Sequence, residues 1–179
     1  LDRNSEKVLI AGSGSLGSGS YTNTISIGTA VTLDYASSAT QTLSGVISGG
    51  GSLRVSGPGT VTLLVENMYS GGTTVSGGTL YAGAIGALGT NSVTVGASGL
   101  LVMTADNAMG TNATLSLPDD TTETLIMNAR CCEVAALTLN SVMQSNGIYR
   151  ARDYDWMGGS GMLCVGVPAP PRGMALIIR

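Results

Sequence analysis

Residues 42–80 read Thr42-Leu-Ser-Gly-Val-Ile-Ser-Gly-Gly-Gly-Ser-Leu-Arg-Val-Ser-Gly-Pro-Gly-Thr-Val-Thr-Leu-Leu-Val-Glu-Asn-Met-Tyr-Ser-Gly-Gly-Thr-Thr-Val-Ser-Gly-Gly-Thr-Leu80. Short apolar runs alternate here with glycine-containing turns. Val61, Leu63 and Val65 show the two-residue period of a strand with one buried face. Glycine and proline separate the runs at 49–51 and 57–59, where they suit tight turns. The stretch therefore predicts short β-strands joined by tight turns.

The same pattern extends over most of the chain. Strands are predicted at 20–27, 30–35, 40–47, 52–56, 60–66, 73–75, 79–81, 92–95, 100–104, 113–117, 123–128, 135–139 and 161–165. Regular short strands of this kind are typical of a sandwich, a barrel or a solenoid. Self-similar turn phrases at 47–53, 75–80 and 95–101 favour the solenoid. We therefore predict an all-β fold, a β-solenoid with extended termini, with a β-sandwich as the alternative.

Composition excludes several classes of function. Charged residues make up only 11% of the 179 residues and the net charge is −3, so no basic surface for nucleic acid is expected. No apolar run is long enough to span a bilayer. The chain has no histidine, which rules out Ser/His/Asp and Cys/His nucleophile systems. The first residue is Leu1 rather than methionine, which we interpret as a processed or trimmed N-terminus.

Three segments are expected along the chain. Residues 1–20 form an N-terminal extended or linker segment, whose glycine- and serine-rich part at 12–20 is either flexible or an ordered turn. Residues 21–167 form the solenoid domain. Residues 168–179 form a proline-rich extended tail, because proline cannot donate to a central strand ladder.

The cysteines allow more than one interpretation. The vicinal pair Cys131 and Cys132, with Cys164 further on, has no zinc-binding spacing. The three side chains are either small buried apolar groups, or one of the pair forms a disulfide with Cys164. In the second case the remaining cysteine could cross-link subunits.

Candidate polar sites are few. The acidic turn with Asp119, Asp120 and Glu123 is interpreted as solvated, with a weak calcium site as the alternative. A second cluster is rich in the residues that dominate binding interfaces, and it is either a loop over the end of the coil or a docking patch. Its members are Tyr149, Arg150, Arg152, Tyr154 and Trp156. No catalytic residue, metal site or cofactor is expected.

Residues 57–80 also resemble a known family, the autotransporter-associated β-strand repeat, or passenger-associated transport repeat. The shared positions are Gly59, Thr60, Leu63, Tyr69, Gly71, Gly72, Thr73, Val75, Gly78, Thr79 and Leu80, and the departures are Val61, Leu64, Val65 and Glu66. Residues 85–95 resemble the stretch that usually follows the repeat, and 137–149 with 159–165 resemble a closing module. The resemblance covers roughly residues 40–167. It implies a right-handed parallel β-helix at a bacterial surface or secreted from it, and it transfers no catalytic residues.

The functional hypothesis is a structural, non-enzymatic protein of the cell surface or extracellular space. Uncovered strand edges pair readily with other chains, and no amphipathic capping helix is evident at either end. We therefore expect self-association into a fibre by strand exchange through Val8, Leu9 and Ile10, and through Leu176, Ile177 and Ile178. The alternative is an adhesin or carbohydrate-binding module, with a surface polysaccharide as its partner.

Overall fold

The structure is a computed structural model that describes residues 6–118, 123–128 and 131–170. These residues form a β-solenoid of about six turns, in which equivalent strands of successive turns pair in parallel. Their regular elements are strands and two short 3₁₀ turns, without an α-helix. The prediction of an all-β parallel solenoid is confirmed, and the sandwich alternative is not what the chain adopts.

Four sheets make up the sides of the solenoid. Sheet A contains β1 (Glu6–Gly12), β4 (Val31–Ser37), β7 (Ser52–Val55), β10 (Thr73–Val75), β12 (Val93–Val95), β14 (Thr114–Leu117), β17 (Ala136–Leu139) and β18 (Val142–Met143). Sheet B contains β2 (Ser20–Tyr21), β5 (Thr40–Leu43), β8 (Thr60–Leu63), β11 (Gly78–Ala82), β13 (Gly99–Met103), β15 (Leu125–Met127) and β20 (Met157–Gly159). Sheet C contains β3 (Ile25–Ser26), β6 (Ile47–Gly49) and β9 (Met68–Tyr69). Sheet D contains β16 (Cys131–Val134), β21 (Met162–Val165) and β19 (Gly147–Arg150).

The strand register shows that one turn takes about 20 residues. In sheet A, Leu33 pairs with Leu53, and Leu53 pairs with Thr73. In sheet B, Val61 pairs with Leu80, and Leu80 pairs with Leu101. Each inward side chain therefore lies on the equivalent side chain of the neighbouring turn, which produces continuous columns along the axis.

These columns form the core because side chains alternate between the two faces of each strand. Val61, Leu63 and Leu80 are almost fully buried, whereas Thr62 on the opposite face of β8 is partly exposed. The core is aliphatic over most of its length, which agrees with the absence of phenylalanine from the sequence. Truncating one such leucine to alanine typically destabilises a protein by about 2–5 kcal/mol.

Glycines at one corner allow successive turns to approach closely. A Cβ on Gly71 would lie 2.5 Å from the carbonyl carbon of Gly51. Gly72 has a φ of +87°, a backbone conformation that side-chain-bearing residues rarely adopt. The pair Gly71-Gly72 in the resembled motif is therefore required by the corner of the coil.

The solenoid begins within residues 1–20, the segment that the sequence predicts to be extended or a linker. Residues Glu6–Gly12 form β1, which pairs in parallel with β4 over its whole length. The glycine-rich stretch after it contains the 3₁₀ turn Gly17–Gly19, and the side-chain amide of Gln41 donates to the Leu16 carbonyl at 3.2 Å. The stretch therefore contains a turn that is hydrogen-bonded to β5.

Candidate functional site

The C-terminal end of the solenoid is covered by residues 140–156, which extend the last turn. Leu125 of β15 pairs with Met157 of β20, a separation about a dozen residues longer than the usual turn. The additional residues contain β18, β19 and the 3₁₀ turn Ala151–Asp153. We call residues 140–156 the cap. No capping helix is predicted from the sequence, and the cap consists of strands and a 3₁₀ turn.

A tight hairpin starts the cap. Asn140 and Ser141 both have positive φ, 49° and 64°, as in the two-residue turns that suit antiparallel strands. The turn directs β18 back along β17, so that Leu139 pairs with Val142. The Gln144 N–H then donates to the Leu137 carbonyl at 2.8 Å. The hairpin therefore forms hydrogen bonds with backbone groups of β17, the last parallel strand of sheet A.

The second half of the cap covers sheets B and D. Strand β19 pairs antiparallel with β21, with Tyr149 opposite Leu163. The following 3₁₀ turn packs on β20. Sheets A and D therefore end in the short antiparallel strands β18 and β19, and sheet B ends in β20, against which the 3₁₀ turn packs.

Three aromatic rings form the interior of the cap. The ring centroids of Tyr149 and Tyr154 are 5.3 Å apart, those of Tyr154 and Trp156 are 5.5 Å apart, and those of Tyr149 and Trp156 are 6.2 Å apart. Trp156 is only 2% exposed and Tyr149 8%, whereas Tyr154 is 40% exposed. The rings are tilted, as aromatic pairs prefer. Trp156 and Tyr149 therefore close the apolar core, and Tyr154 presents part of its ring to solvent.

The predicted docking patch is thus brought together at one end but divided by burial. Arg150 is half-buried on β19, and Arg152 is exposed with its Nε 3.5 Å from Oδ1 of Asp153. Such an exposed ion pair contributes little to stability. Of the five predicted residues, Tyr154 and Arg152 are the ones that a partner could contact extensively.

A shallow cleft adjoins Tyr154. Its volume is about 320 Å³, and its lining includes Gln144, Tyr154, Asp153 and Asp155. Both aspartates are exposed, and they precede and follow Tyr154 in the chain. The cleft therefore combines an aromatic ring with carboxylate and amide groups. An arrangement of this kind suits a polar ligand with an apolar face.

The N-terminal end differs from the capped end. Val8 and Leu9 on β1 are 55% and 52% exposed, and Ile10 is partly buried against the core. Among residues 6–118, 123–128 and 131–170, no strand pairs with β1 on the side away from β4. The other predicted exchange residues, Leu176, Ile177 and Ile178, lie outside the described residues.

One buried charge lies close to this end. Asp34 is fully buried on the outward side of β4, with Lys7 Nζ at 2.5 Å from Oδ2 and the Ser56 hydroxyl donating to Oδ1 at 2.6 Å. The carboxylate therefore has both a counterion and a hydrogen bond, as a buried charge requires. The ion pair links β1 to the second turn of the solenoid.

The three cysteines are also buried, and all three are thiols in the structure. Cys132 faces the core and its Sγ donates to the Ala105 carbonyl at 3.7 Å. Burial raises the pKa of the Cys132 thiol to about 11. Within the part of the chain that the structure describes, no group of His, Cys, Asp and Glu side chains is arranged to hold a metal ion.

Asn67 is a structural residue that sequence analysis did not identify. It is buried, its Oδ1 accepts from the Ile47 N–H at 2.7 Å, and its Nδ2 donates to the Ala87 carbonyl at 2.7 Å. Ile47 precedes it by one turn and Ala87 follows it by one turn. The available signal was an asparagine at a turn-length spacing from both partners, and one sequence gives no means to distinguish it from a loop asparagine.

Similarity to known proteins is confined to part of the chain. Residues 53–82 match the family model described as Passenger-associated-transport-repeat. A relative, "Adhesin BmaC autotransporter" of Brucella suis biovar 1 (strain 1330), is 46% identical over 56 residues, which are 31% of this chain and 2% of the relative. No solved structure matches the chain. The matched segment runs from β7 to β11 and includes the Gly71-Gly72 corner.

These matches confirm the resemblance to the passenger-associated transport repeat and the extracellular or cell-surface location expected from it. The chain spans 2% of the length of this relative. Among the described residues, no helix has the length and apolar character needed to cross a membrane.

Proposed function

We propose that the chain is a non-enzymatic segment of a cell-surface passenger that serves as a rigid support and binds a saccharide at its cap. The observation that carries this proposal is the cleft beside Tyr154, which is lined by an exposed ring and two carboxylates. The passenger repeat and the relative's printed name, an adhesin, support the general role.

The chemistry of the cleft favours a sugar ring. One face of many sugar rings carries C–H groups, which pack on the negative face of an aromatic ring. The carboxylates of Asp153 and Asp155 would accept hydrogen bonds from sugar hydroxyls, and the Gln144 amide offers both a donor and an acceptor. Because Trp156 and Tyr149 are held in the core, the position of Tyr154 is set before a ligand arrives, which lowers the entropy lost on binding.

A glycan array tests this proposal. We expect the 179-residue chain to bind a defined set of saccharides, and Tyr154→Ala to lower the signal at least tenfold. Tyr81→Ala is the matched control, because Tyr81 is 38% exposed on β11, away from the cap. Absence of saccharide binding, or equal loss in both variants, would contradict the saccharide proposal.

Self-association through terminal strands is the second candidate, favoured by the exposed Val8 and Leu9 on the edge strand β1. An edge strand offers backbone groups to another copy of the chain. The seven-residue edge of β1 is longer than the C-terminal edge strands β18 and β19, which favours a contact at the N-terminal end. Two copies would then meet at their first turns, and growth into a fibre would need a second contact.

Sedimentation velocity over a range of concentrations measures this association. We expect Val8→Lys combined with Leu9→Lys to shift the chain to monomer, because lysines disfavour pairing at a sheet edge. Ile85→Lys is the control, since Ile85 is 64% exposed but lies outside the strands. A wild-type chain that remains monomeric at all concentrations rules the candidate out.

A further inference from the structure

A cavity lined by two arginines lies beside the 3₁₀ turn of the cap. Its volume is about 410 Å³, and its lining includes Arg150, Arg152, Ser160 and Met162. None of its lining residues also lines the cleft beside Tyr154. The cavity is therefore a second depression of the cap, between the end of β19 and the loop that joins β20 to β21.

Arg150 is placed at this cavity by strand β19. It pairs with Met162 of β21, and the Ala151 N–H donates to the Gly161 carbonyl at 3.2 Å. Because side chains alternate along a strand, Arg150 lies on the face of β19 opposite to Tyr149, which belongs to the core. The strand therefore holds Arg150 on the outer surface, next to the loop between β20 and β21.

Arg150 has a positive charge that the described residues leave without a counterion. The ion pairs in the described part of the chain are Lys7 with Asp34 and Arg152 with Asp153. Arg150 takes part in neither, although it is half-buried, and a charge that is partly removed from water favours an opposite charge beside it. The Arg152–Asp153 pair is long, at 3.5 Å, and exposed. Arg152 therefore retains N–H groups for a further partner.

The loop residues of the cavity are held in place by the neighbouring turn. The N–H groups of Ser160 and Gly161 both donate to the Met127 carbonyl, at 3.0 and 2.8 Å. Gly159 and Gly161 have no side chains, so the Ser160 hydroxyl is the side-chain polar group that the loop contributes. A fixed loop loses little conformational freedom when a ligand binds, which favours affinity.

We propose that this cavity binds the anionic group of an acidic saccharide, a carboxylate or a phosphate. A guanidinium group presents its N–H donors in a planar fork that matches either group, and the Ser160 hydroxyl adds a donor. Half-burial restricts Arg150 to partners that are small enough to enter the cavity, as a single carboxylate or phosphate is. The identity of the ligand as a saccharide rests on the proposed function, whereas the anion site is defined by the two arginines.

The Arg152–Asp153 ion pair connects the two depressions. Arg152 lines the cavity, and Asp153 lines the cleft beside Tyr154. The carboxylates of Asp153 and Asp155 repel an acidic sugar in that cleft, so the anionic group belongs on a neighbouring unit of the saccharide. The cap would then bind a saccharide in one direction, with a neutral ring at Tyr154 and the acidic unit at the arginines.

Inorganic phosphate tests the anion site without a saccharide. We expect millimolar phosphate to shift the backbone amide resonances of residues 150–152 and 159–162 in the proton–nitrogen correlation spectrum of the whole chain. Arg150→Gln should abolish these shifts, and Arg150→Lys, which keeps the charge without the planar fork, should weaken them. Arg54→Gln is the matched control, because Arg54 is an exposed arginine on β7, away from the cap.

The remaining resonances of the same spectra show whether each variant is folded. Shifts that are absent from the wild type at these residues, or that survive in a folded Arg150→Gln variant, would overturn the anion site. Equal loss in Arg54→Gln would also overturn it, because the effect would then come from net charge rather than from the cavity.

A glycan array separates this site from the cleft at Tyr154. Uronic acid oligomers are compared with their methyl esters, and phosphorylated oligomers with their dephosphorylated forms, so that the two arms distinguish a carboxylate from a phosphate. We expect the acidic member of at least one pair to give a signal about tenfold above its neutral counterpart, and Arg150→Gln to remove that difference.

The two proposals fail in different ways on this array. Equal binding of acidic and neutral members would overturn the anionic specificity and leave the Tyr154 cleft in place. Binding that requires the acidic group and Arg150, but is unchanged in Tyr154→Ala, would support the anion site and contradict the cleft.

Discussion

The hydroxyl of Tyr69 donates to Oγ1 of Thr73 at 2.6 Å, and the Thr73 hydroxyl donates in turn to the Leu88 carbonyl at 2.9 Å. The second bond uses the single proton of Thr73, which makes Tyr69 the donor in the first. Both side chains are buried. The two bonds join the end of β9 to the next turn, at the corner formed by Gly71 and Gly72.

Thr73→Val should destabilise the chain more than Tyr69→Phe. Valine leaves both the Tyr69 hydroxyl and the Leu88 carbonyl unsatisfied in the core, and we expect a loss of about 3 kcal/mol in the free energy of unfolding. Phenylalanine removes one hydrogen bond together with its donor, with a loss of about 1 kcal/mol. Urea denaturation measures both. Thr74→Val is the control, because Thr74 is half-buried on the opposite face of β10, and a loss equal to that of Thr73→Val would contradict the interpretation.

Stability should decline at alkaline pH. Burial raises the pKa of Tyr69 above its ordinary value of 10.0 and that of Cys132 from 9.0 to about 11. The unfolded chain therefore loses these protons at lower pH than the folded chain, so their contribution to stability is complete below pH 9 and falls above it. Melting temperatures of the reduced chain should be level from about pH 6 to 8.5 and decrease at higher pH.

Tyr69→Phe separates the two groups in that experiment. The variant should retain the decline that starts near the ordinary cysteine pKa of 9.0 and lose the part that starts near the tyrosine value of 10.0. If the melting temperatures of the wild type and of Tyr69→Phe fall in the same way above pH 10, Tyr69 does not contribute to the alkaline loss of stability.

Asn67→Ala should be among the more damaging polar substitutions. It leaves the Ile47 N–H and the Ala87 carbonyl without their side-chain partners, and we expect a loss of about 3 kcal/mol. Asn91→Ala is the matched control, because the Asn91 amide donates to the Ser70 carbonyl at 2.9 Å from an exposed position. Its loss should be about 0.5 kcal/mol. Guanidinium denaturation measures both variants. A loss for Asn91→Ala as large as that for Asn67→Ala would contradict the prediction.

Trp156→Ala should unfold the cap more readily than Tyr154→Ala. Removing the indole leaves a cavity at the end of the core. We expect the free energy of unfolding to fall by about 3–5 kcal/mol. The exposed ring of Tyr154 has fewer neighbours to lose, so its truncation should lower the free energy of unfolding by less than about 1 kcal/mol. Hydrogen exchange of β20 and β21 should accelerate in the first variant alone. Equal destabilisation by both substitutions would show that Trp156 is not the core residue of the cap.

Most strand positions between 30 and 117 could be predicted because apolar residues alternate within the strands and glycine marks the corners, whereas β9 was not predicted and β6 was not separated from β5. Val61 and Leu63, for example, are both buried in β8 as the alternation requires. The cap was harder to predict. Its hairpin depends on Asn140 and Ser141 in a left-handed conformation, and this pair of residues is compatible with many loops.

Burial of the docking residues could not be predicted either. Tyr149, Tyr154 and Trp156 have similar side chains and occur within eight residues, so composition suggests one exposed patch. The end of the aliphatic core needs an apolar cover, and the antiparallel pairing of β19 with β21 turns Tyr149 towards it. Trp156 follows in the same direction, and Tyr154 is the ring that remains exposed.

The amino-acid pattern alone is enough to predict the stacking of short strands, because a two-residue apolar period and corner glycines favour the same backbone whichever partners are present. It also determined the aliphatic core and the scarcity of charge. The tertiary structure alone decided what lies at each end of the stack. Both ends depend on contacts between residues far apart in the chain, such as Tyr149 with Leu163 and Lys7 with Asp34, and local patterns do not encode contacts of that range.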